Sequence, residues 1–227
     1  MFGNLFGHRG KDEAPGPFHR PYNSDAANQI YNLLFCDNPA LFKNSQDGGG
    51  PLRAVLSDST DRESLERIGN DVDVESRVRV LAFNRLRAMK VSVPRKRLLG
   101  TIFEVPQPQG LDTLAIYPDG RLRYINQSEK MAILETSPPA LVEKAEEALR
   151  ASQLVVNRYG PWDKPRRSAP TGELMRMSCL GSDGLYFGEG RVADLMGDRF
   201  AAPVLKAASE LLPLLVDAAL QKDRGEG

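Results

Sequence analysis

Histidine is nearly missing from this chain. Of 227 residues only His8 and His19 carry an imidazole, and both precede Pro21 in a stretch whose composition reads as unfolded. A site built in the core therefore lacks the commonest general base and the commonest metal ligand. A Ser-His-Asp triad or an H-E-x-x-H zinc site is excluded on that ground. Cysteine is equally sparse. Cys36 ends the apolar run IYNLLFC and Cys179 sits in LMRMSCL, far away in sequence. They read as buried free thiols of a reducing compartment rather than a disulfide framework or a cluster site. Neither sign of charge is in excess: thirty basic and thirty acidic side chains cancel, without the basic surplus usual in duplex-binding proteins. Long apolar runs are absent too. The stretch from Pro203 to Leu220 is interrupted by Lys206, Glu210, Pro213 and Asp217, too polar for a membrane span. MFGNLFGHRG has no apolar h-region. The expected location is cytoplasmic, with no membrane partner.

What is present is a sizeable apolar fraction, 41%, enough for one substantial core. Residues 1–21 read as an irregular tail, 22–222 as one α+β domain and 223–227 as a frayed end. Ser24 and Asp25 offer N-caps to a helix through Ile30, Leu33 and Leu34, closed by Asn38-Pro39. NSQDGGGP (44–51) reads as a loop and Leu52–Leu56 has no clear type. Thr60 with Glu63 fits a capping box for a helix ending at Gly69. The spacing of Val74, Val78, Leu81, Ala82, Leu86 and Met89 predicts a helix over 73–90, with Val80 and Phe83 on other faces.

From Leu98 the apolar period changes to two. LLGTIFEV, LDTLAIY, RLRYIN and MAILE read as a three- or four-strand antiparallel meander, with a turn at Pro118-Asp119-Gly120. In this pattern Arg121 and Arg123 face outward and Tyr124 the other way. A long helix after Ser137-Pro138 follows, stopped by Gly160. LMRMSCL and LYFGEG form a second hairpin across Gly181–Gly184, before a short helix near 192–196 and a final apolar helix from Pro203. The expected fold class is α+β, a mostly antiparallel sheet packed against several helices.

No catalytic, cofactor-binding or metal-ligating residue is assigned. GLYFGEGR fits neither the dinucleotide fingerprint nor a P-loop, and Asp71, Asp73 and Glu75 lack the rest of a calcium loop. Arg85, in the middle of an apolar helix face, is a candidate for an internal ion pair or an anion site. The run from Arg85 to Arg97 is basic and free of acid. Trp162, Asp163 and Lys164, in the proline-braced loop GPWDKPRRSAPTG, are candidate interface residues, Trp being a frequent anchor. Leu205, Leu214 and Leu220 make the last helix apolar nearly all round, which predicts a covered or interfacial face and a candidate homodimer.

The segments GLDTLAIYPDGRLRYINQSEK, GPWDKPR and SDGLYFGEG resemble a family of bacterial proteins with no assigned activity. That resemblance implies a bacterial cytoplasmic protein and carries no site residues. The helix–meander–helix–hairpin–helix order is loosely similar to bacterial secretion chaperones, a likeness of topology alone. The expected function is a protein-binding module without catalysis: an adaptor, a chaperone or an immunity-type partner of another protein. The alternatives are an enzyme or small-ligand protein using Arg85 and carboxylates, and a nucleic-acid-binding protein using 85–97.

Overall fold

A computed structural model describes residues 16–43 and 50–225. Its centre is one six-stranded, fully antiparallel sheet in the order β4-β3-β2-β1-β5-β6. The strands are β1 (Leu98–Gln107), β2 (Gly110–Ile116), β3 (Leu122–Ile125), β4 (Met131–Leu134), β5 (Leu174–Gly181) and β6 (Gly184–Arg191). The four-strand meander and the later hairpin join where β1 pairs with β5, Ile102 opposite Ser178 and Glu104 opposite Arg176. The α+β class is as expected, but helices cover both faces. The first face carries α1 (Asp25–Phe35), α2 (Gly50–Leu56), α3 (Arg62–Asn70) and α4 (Ser76–Ala88). The second carries α5 (Pro139–Arg158), the short α6 (Val192–Gly197) and α7 (Ala201–Gly225). Central strands covered on both sides read as apolar runs rather than as alternation. In LLGTIFE of β1 every residue is buried.

The helix ends show where local signals give way to tertiary ones. The cap of α3 is Asp61, whose carboxylate accepts from the Ser64 amide at 2.7 Å. Thr60 instead donates to the Ala54 carbonyl at 2.5 Å, so the Thr60–Glu63 capping box does not form. The start of α4 has no local side-chain cap. Its Ser76 amide donates to Asp119 in the β2–β3 turn at 2.6 Å. That turn is closed by Gly120 at φ +80°, a backbone conformation that favours glycine. Val80 and Phe83 are both buried, which matches a helix covered on several sides. Gly50-Pro51 opens α2 instead of ending a loop, and 44–49 lie outside the described residues.

Two further expectations change. Residues 16–21, placed in the tail, are bound to the domain: the Gly16 amide donates to the Asp37 carbonyl at 3.0 Å and the His19 amide to Asn32 Oδ1 at 2.9 Å. At the other end α7 runs to Gly225, so the helix continues past the expected fray point at 223. Among the described residues no helix is long and apolar enough to cross a membrane.

The capping geometry makes a discriminating pair of variants. Asp61→Ala is expected to lower stability, read from urea unfolding as a lower midpoint. Glu63→Ala, whose importance rests on the capping box, is expected to cost less than about half of that.

Candidate binding surface

Face one of the sheet carries a row of polar side chains across four strands. Thr113 of β2, Glu104 of β1, Arg176 of β5 and Glu189 of β6 stand in register. Alternation within strands made this inevitable once the register was set, because Ile102, Ala115 and Leu180 share the same face. A charged row against a helix layer needs partners. The first helix and two connecting segments supply them. Tyr31 of α1 donates to Glu104 Oε1 at 2.6 Å and Tyr22 shares a 2.7 Å hydrogen bond with Thr113. Arg176 pairs with Glu189 through Nε at 2.8 Å and donates Nη2 to the Ser168 carbonyl at 2.7 Å. Its Nη1 stands 3.6 Å from Glu104 Oε2, an oxygen with no hydrogen-bond partner.

Arg166 closes the arrangement from the proline-braced loop. Its Nε donates to Asp37 at 2.6 Å, and its Nη2 to Asn32 Oδ1 at 2.9 Å and to the Pro17 carbonyl at 3.2 Å. Its Nη1 reaches Tyr31 Oη at 3.4 Å. The guanidinium lies 4.0 Å from the Phe35 ring centroid, a stacked cation. One buried cation thus ties together residue 17, α1, Asp37 and the 161–172 loop.

Burial pushes the Glu104 carboxyl up from its ordinary value, against the hydrogen bond from Tyr31 and the charges of Arg176 and Arg166. Burial also moves the His19 imidazole down, with the Arg166 charge acting the same way. His19 is part of the fold: its ring lies 3.2 Å from the Arg166 carbonyl. Both cysteines are free and buried. Burial raises both thiols, Cys179 to about 12, far from the thiolate form that a nucleophile needs. Among the described residues no group of three His, Cys, Asp or Glu side chains could share a metal ion.

Above this network lies an open cleft of about 480 Å³ between 19–21, the β1–β2 turn and 168–172. His19 and Arg20 are its only ionisable lining residues. Glu104 is not part of the lining.

The residues singled out from sequence fall in different places. Arg85 donates Nη1 to the carbonyls of Val55 and Ser57, at 2.8 and 2.6 Å. It closes the C-terminal end of α2, a favourable place for a cation. In the basic run, Lys96 likewise reaches the Asn157 carbonyl at the end of α5 and Arg97 reaches Asn70. Arg123 is buried rather than outward. It donates to the Leu134 carbonyl at 3.0 Å and to Glu135 at 2.6 Å. Leu205 is buried in the chain's own core, which removes it from the interface set, while Leu214 and Leu220 are exposed.

Trp162 is half-buried, with Asp163 and Lys164 exposed beside it. Its ring stands edge-on to Phe187 at 4.9 Å and under the Lys164 ammonium at 5.5 Å. Its amide donates to the Leu185 carbonyl at 2.6 Å, an isolated antiparallel bridge on the outer edge of β6. Beyond that bridge the loop makes no further backbone bond to β6 among the described residues, although Arg167 pairs with Glu189 at 2.9 Å. In the β5–β6 hairpin Gly181 opposes Gly184, so the backbone groups of Leu185, Phe187, Glu189 and Arg191 point outward. Among the described residues Leu185 has a backbone partner on that side and Phe187 and Glu189 have none, while Arg191 is the N-cap of α6.

Glu104, Arg166 and Arg176 were not singled out from sequence, although a signal existed. A charged residue on the inward phase of an otherwise apolar strand must find an opposite partner. Glu104 in LLGTIFEV and Arg176 in LMRMSCL both had that phase.

Compared with family models, curated proteins and solved structures, the chain finds no match.

The network makes opposite demands on two side chains. Arg166→Ala strips Asp37 and Asn32 of their cation and is expected to destabilise by about 3 kcal/mol. Glu104→Gln keeps the acceptor for Tyr31 and removes a buried charge, so it is expected to be neutral or stabilising at pH 7. The sign follows from the raised carboxyl. The folded chain protonates Glu104 more readily than the unfolded one, so the linked stability is full below the ordinary value of 4.5 and is lost as pH rises through the folded value. The advantage of the glutamine variant should therefore grow from pH 4 to pH 7 in unfolding titrations.

Proposed function

We propose that this chain is a cytoplasmic protein-binding module of the adaptor or chaperone kind, and that it takes an extended segment of its partner along the open edge of β6. The observation that carries the reading is the Trp162–Leu185 bridge. It occupies one end of the edge and leaves the outward backbone groups of the next residues without a strand partner. Main-chain hydrogen bonds along an open edge supply affinity in strand addition, and side-chain contacts supply choice. Here the choice would come from Trp162, Lys164 and Phe187 at the occupied end. Gly188 keeps a side chain from obstructing the second face of the strand, whereas Leu195 of α6 lies over Gly190. An added Cβ at Gly188 meets nothing within 4 Å.

The small-ligand alternative is less well supported. Arg85, the group it relied on, already serves two carbonyls.

The test combines a photoreactive side chain with an edge block. A benzophenone amino acid at Gly188, introduced in the native host, should give one discrete heavier adduct, and the same group at the exposed Glu143 should not. Arg191 sits at φ −64°, the angle proline imposes. Arg191→Pro therefore removes one outward amide without straining the strand, as proline on an edge allows. It should abolish the adduct, while Arg191→Ala should retain it. An adduct that survives the proline, or none from position 188, overturns the reading.

A further inference from the structure

The opposite edge of the same sheet is open as well, and its chemistry differs. In the β3–β4 hairpin the Asn126 amide donates to the Lys130 carbonyl. Counting from that pair, Ala132 and Leu134 turn their backbone groups toward β3, and Met131 and Ile133 turn theirs outward. The side chains of Met131 and Ile133 lie on face one, 43% and 39% exposed. Soluble proteins blunt such an edge with lysine, proline, a bulge or an inward charge. None of these stands within Met131–Leu134, and β3 and β4 pair without a register shift. Of the charges flanking the strand, Lys130 is exposed beside Met131, and the two acids are engaged. Glu129 accepts from the amides of Asn23 and Ser24 at the start of α1, and Glu135 pairs with Arg121 and Arg123.

We infer that β4 pairs antiparallel with β4 of a second copy of this chain, about a two-fold axis at Ala132, to give a continuous twelve-stranded sheet. This does not depend on the β6 reading. The occupant is argued from self-complementarity. An antiparallel pair keeps opposite residues on one face, which restricts the symmetric register. With Ala132 on the axis, Met131 faces Ile133 of the second copy and Ile133 faces its Met131. All four outward backbone groups are satisfied by reciprocal bonds, as an isologous contact requires. The exposed apolar side chains meet each other across that axis. A foreign strand would need side-chain pockets to be recognised, and β4 is too short to offer them.

The second face agrees. There α7 packs on β4, and its exposed leucines, Leu214 at 40% and Leu220 at 48%, lie in the C-terminal half of that helix. The axis through Ala132 brings the two α7 helices to the same side of the extended sheet.

Sedimentation of the full chain tests the assignment. A dimer is expected at about 100 μM protein. Ile133→Lys, at an exposed position, should leave the circular dichroism spectrum unchanged and weaken the dimer at least about tenfold. Register is tested separately. Ala132 would be a non-hydrogen-bonded pair with its own copy, Cα atoms about 4.5 Å apart, so Ala132→Cys should form an intermolecular disulfide under mild oxidant. Cys36 and Cys179 are buried and serve as the internal control. A strict monomer at that concentration overturns the inference. So does a dimer that Ile133→Lys leaves intact and Ala132→Cys fails to cross-link, which places the contact on another surface such as α7 alone.

Discussion

A guanidinium can leave water only where acceptors are fixed around it in advance, and Arg166 is the point at which this requirement organises the molecule. Its acceptors come from Pro17, Asn32 and Asp37, and Tyr31 lies between it and Glu104 of the central strand. Withdrawing that cation would leave Asp37 without its ion pair and take one donor each from Asn32 and Tyr31. The proline-braced loop is therefore a structural strap. Trp162 lies four residues before Arg166 in the same loop, so the position of the candidate anchor depends on the strap being fastened.

The two faces of the sheet are built on different principles. Face two is an aliphatic layer of Leu, Val, Ala and Met between sheet and helices α5 and α7, held by burial of apolar area. Face one mixes aliphatic packing with the polar row from Thr113 to Glu189. Its buried asparagines clamp the incoming chain: Asn28 bonds both amide and carbonyl of Tyr22, and Asn32 does the same for His19. Such networks add little net stability but define one arrangement of the groups they join. This division places specificity on one side and bulk stability on the other. Both free strand edges lie at the boundaries between these layers.

Recognition by strand edge would suit a protein with an aliphatic core and an internal polar network. An edge needs no nucleophile and no metal, only outward amides and carbonyls held rigid by the strands behind them. β6 offers them beside an aromatic and a cation, Trp162 and Lys164, and β4 offers them between Met131 and Ile133. Under the two proposals above, the first combination would suit a partner chosen by side-chain contacts and the second a copy of the chain itself.

The element order apart from α2, the change of period at Leu98, the turn at Pro118-Asp119-Gly120 and the apolar last helix were legible in the sequence. Each rests on neighbours a few residues apart: apolar spacing, turn chemistry, helix stops. The single sheet that joins meander and hairpin, its register and the helices on both faces were decided by tertiary structure. So were the roles of most singled-out charges. Arg85 read as an ion-pair or anion site, but the carbonyls of Val55 and Ser57 take it up, and Arg123 read as outward but is buried beside β4. The same holds for His19 and residues 16–21, whose composition reads as a tail because their partners Asn32 and Arg166 are 13 and 147 positions away. Local pattern determines which segments bury a face. Which charged groups meet beneath that face depends on contacts distant in sequence, and only the folded chain brings those together.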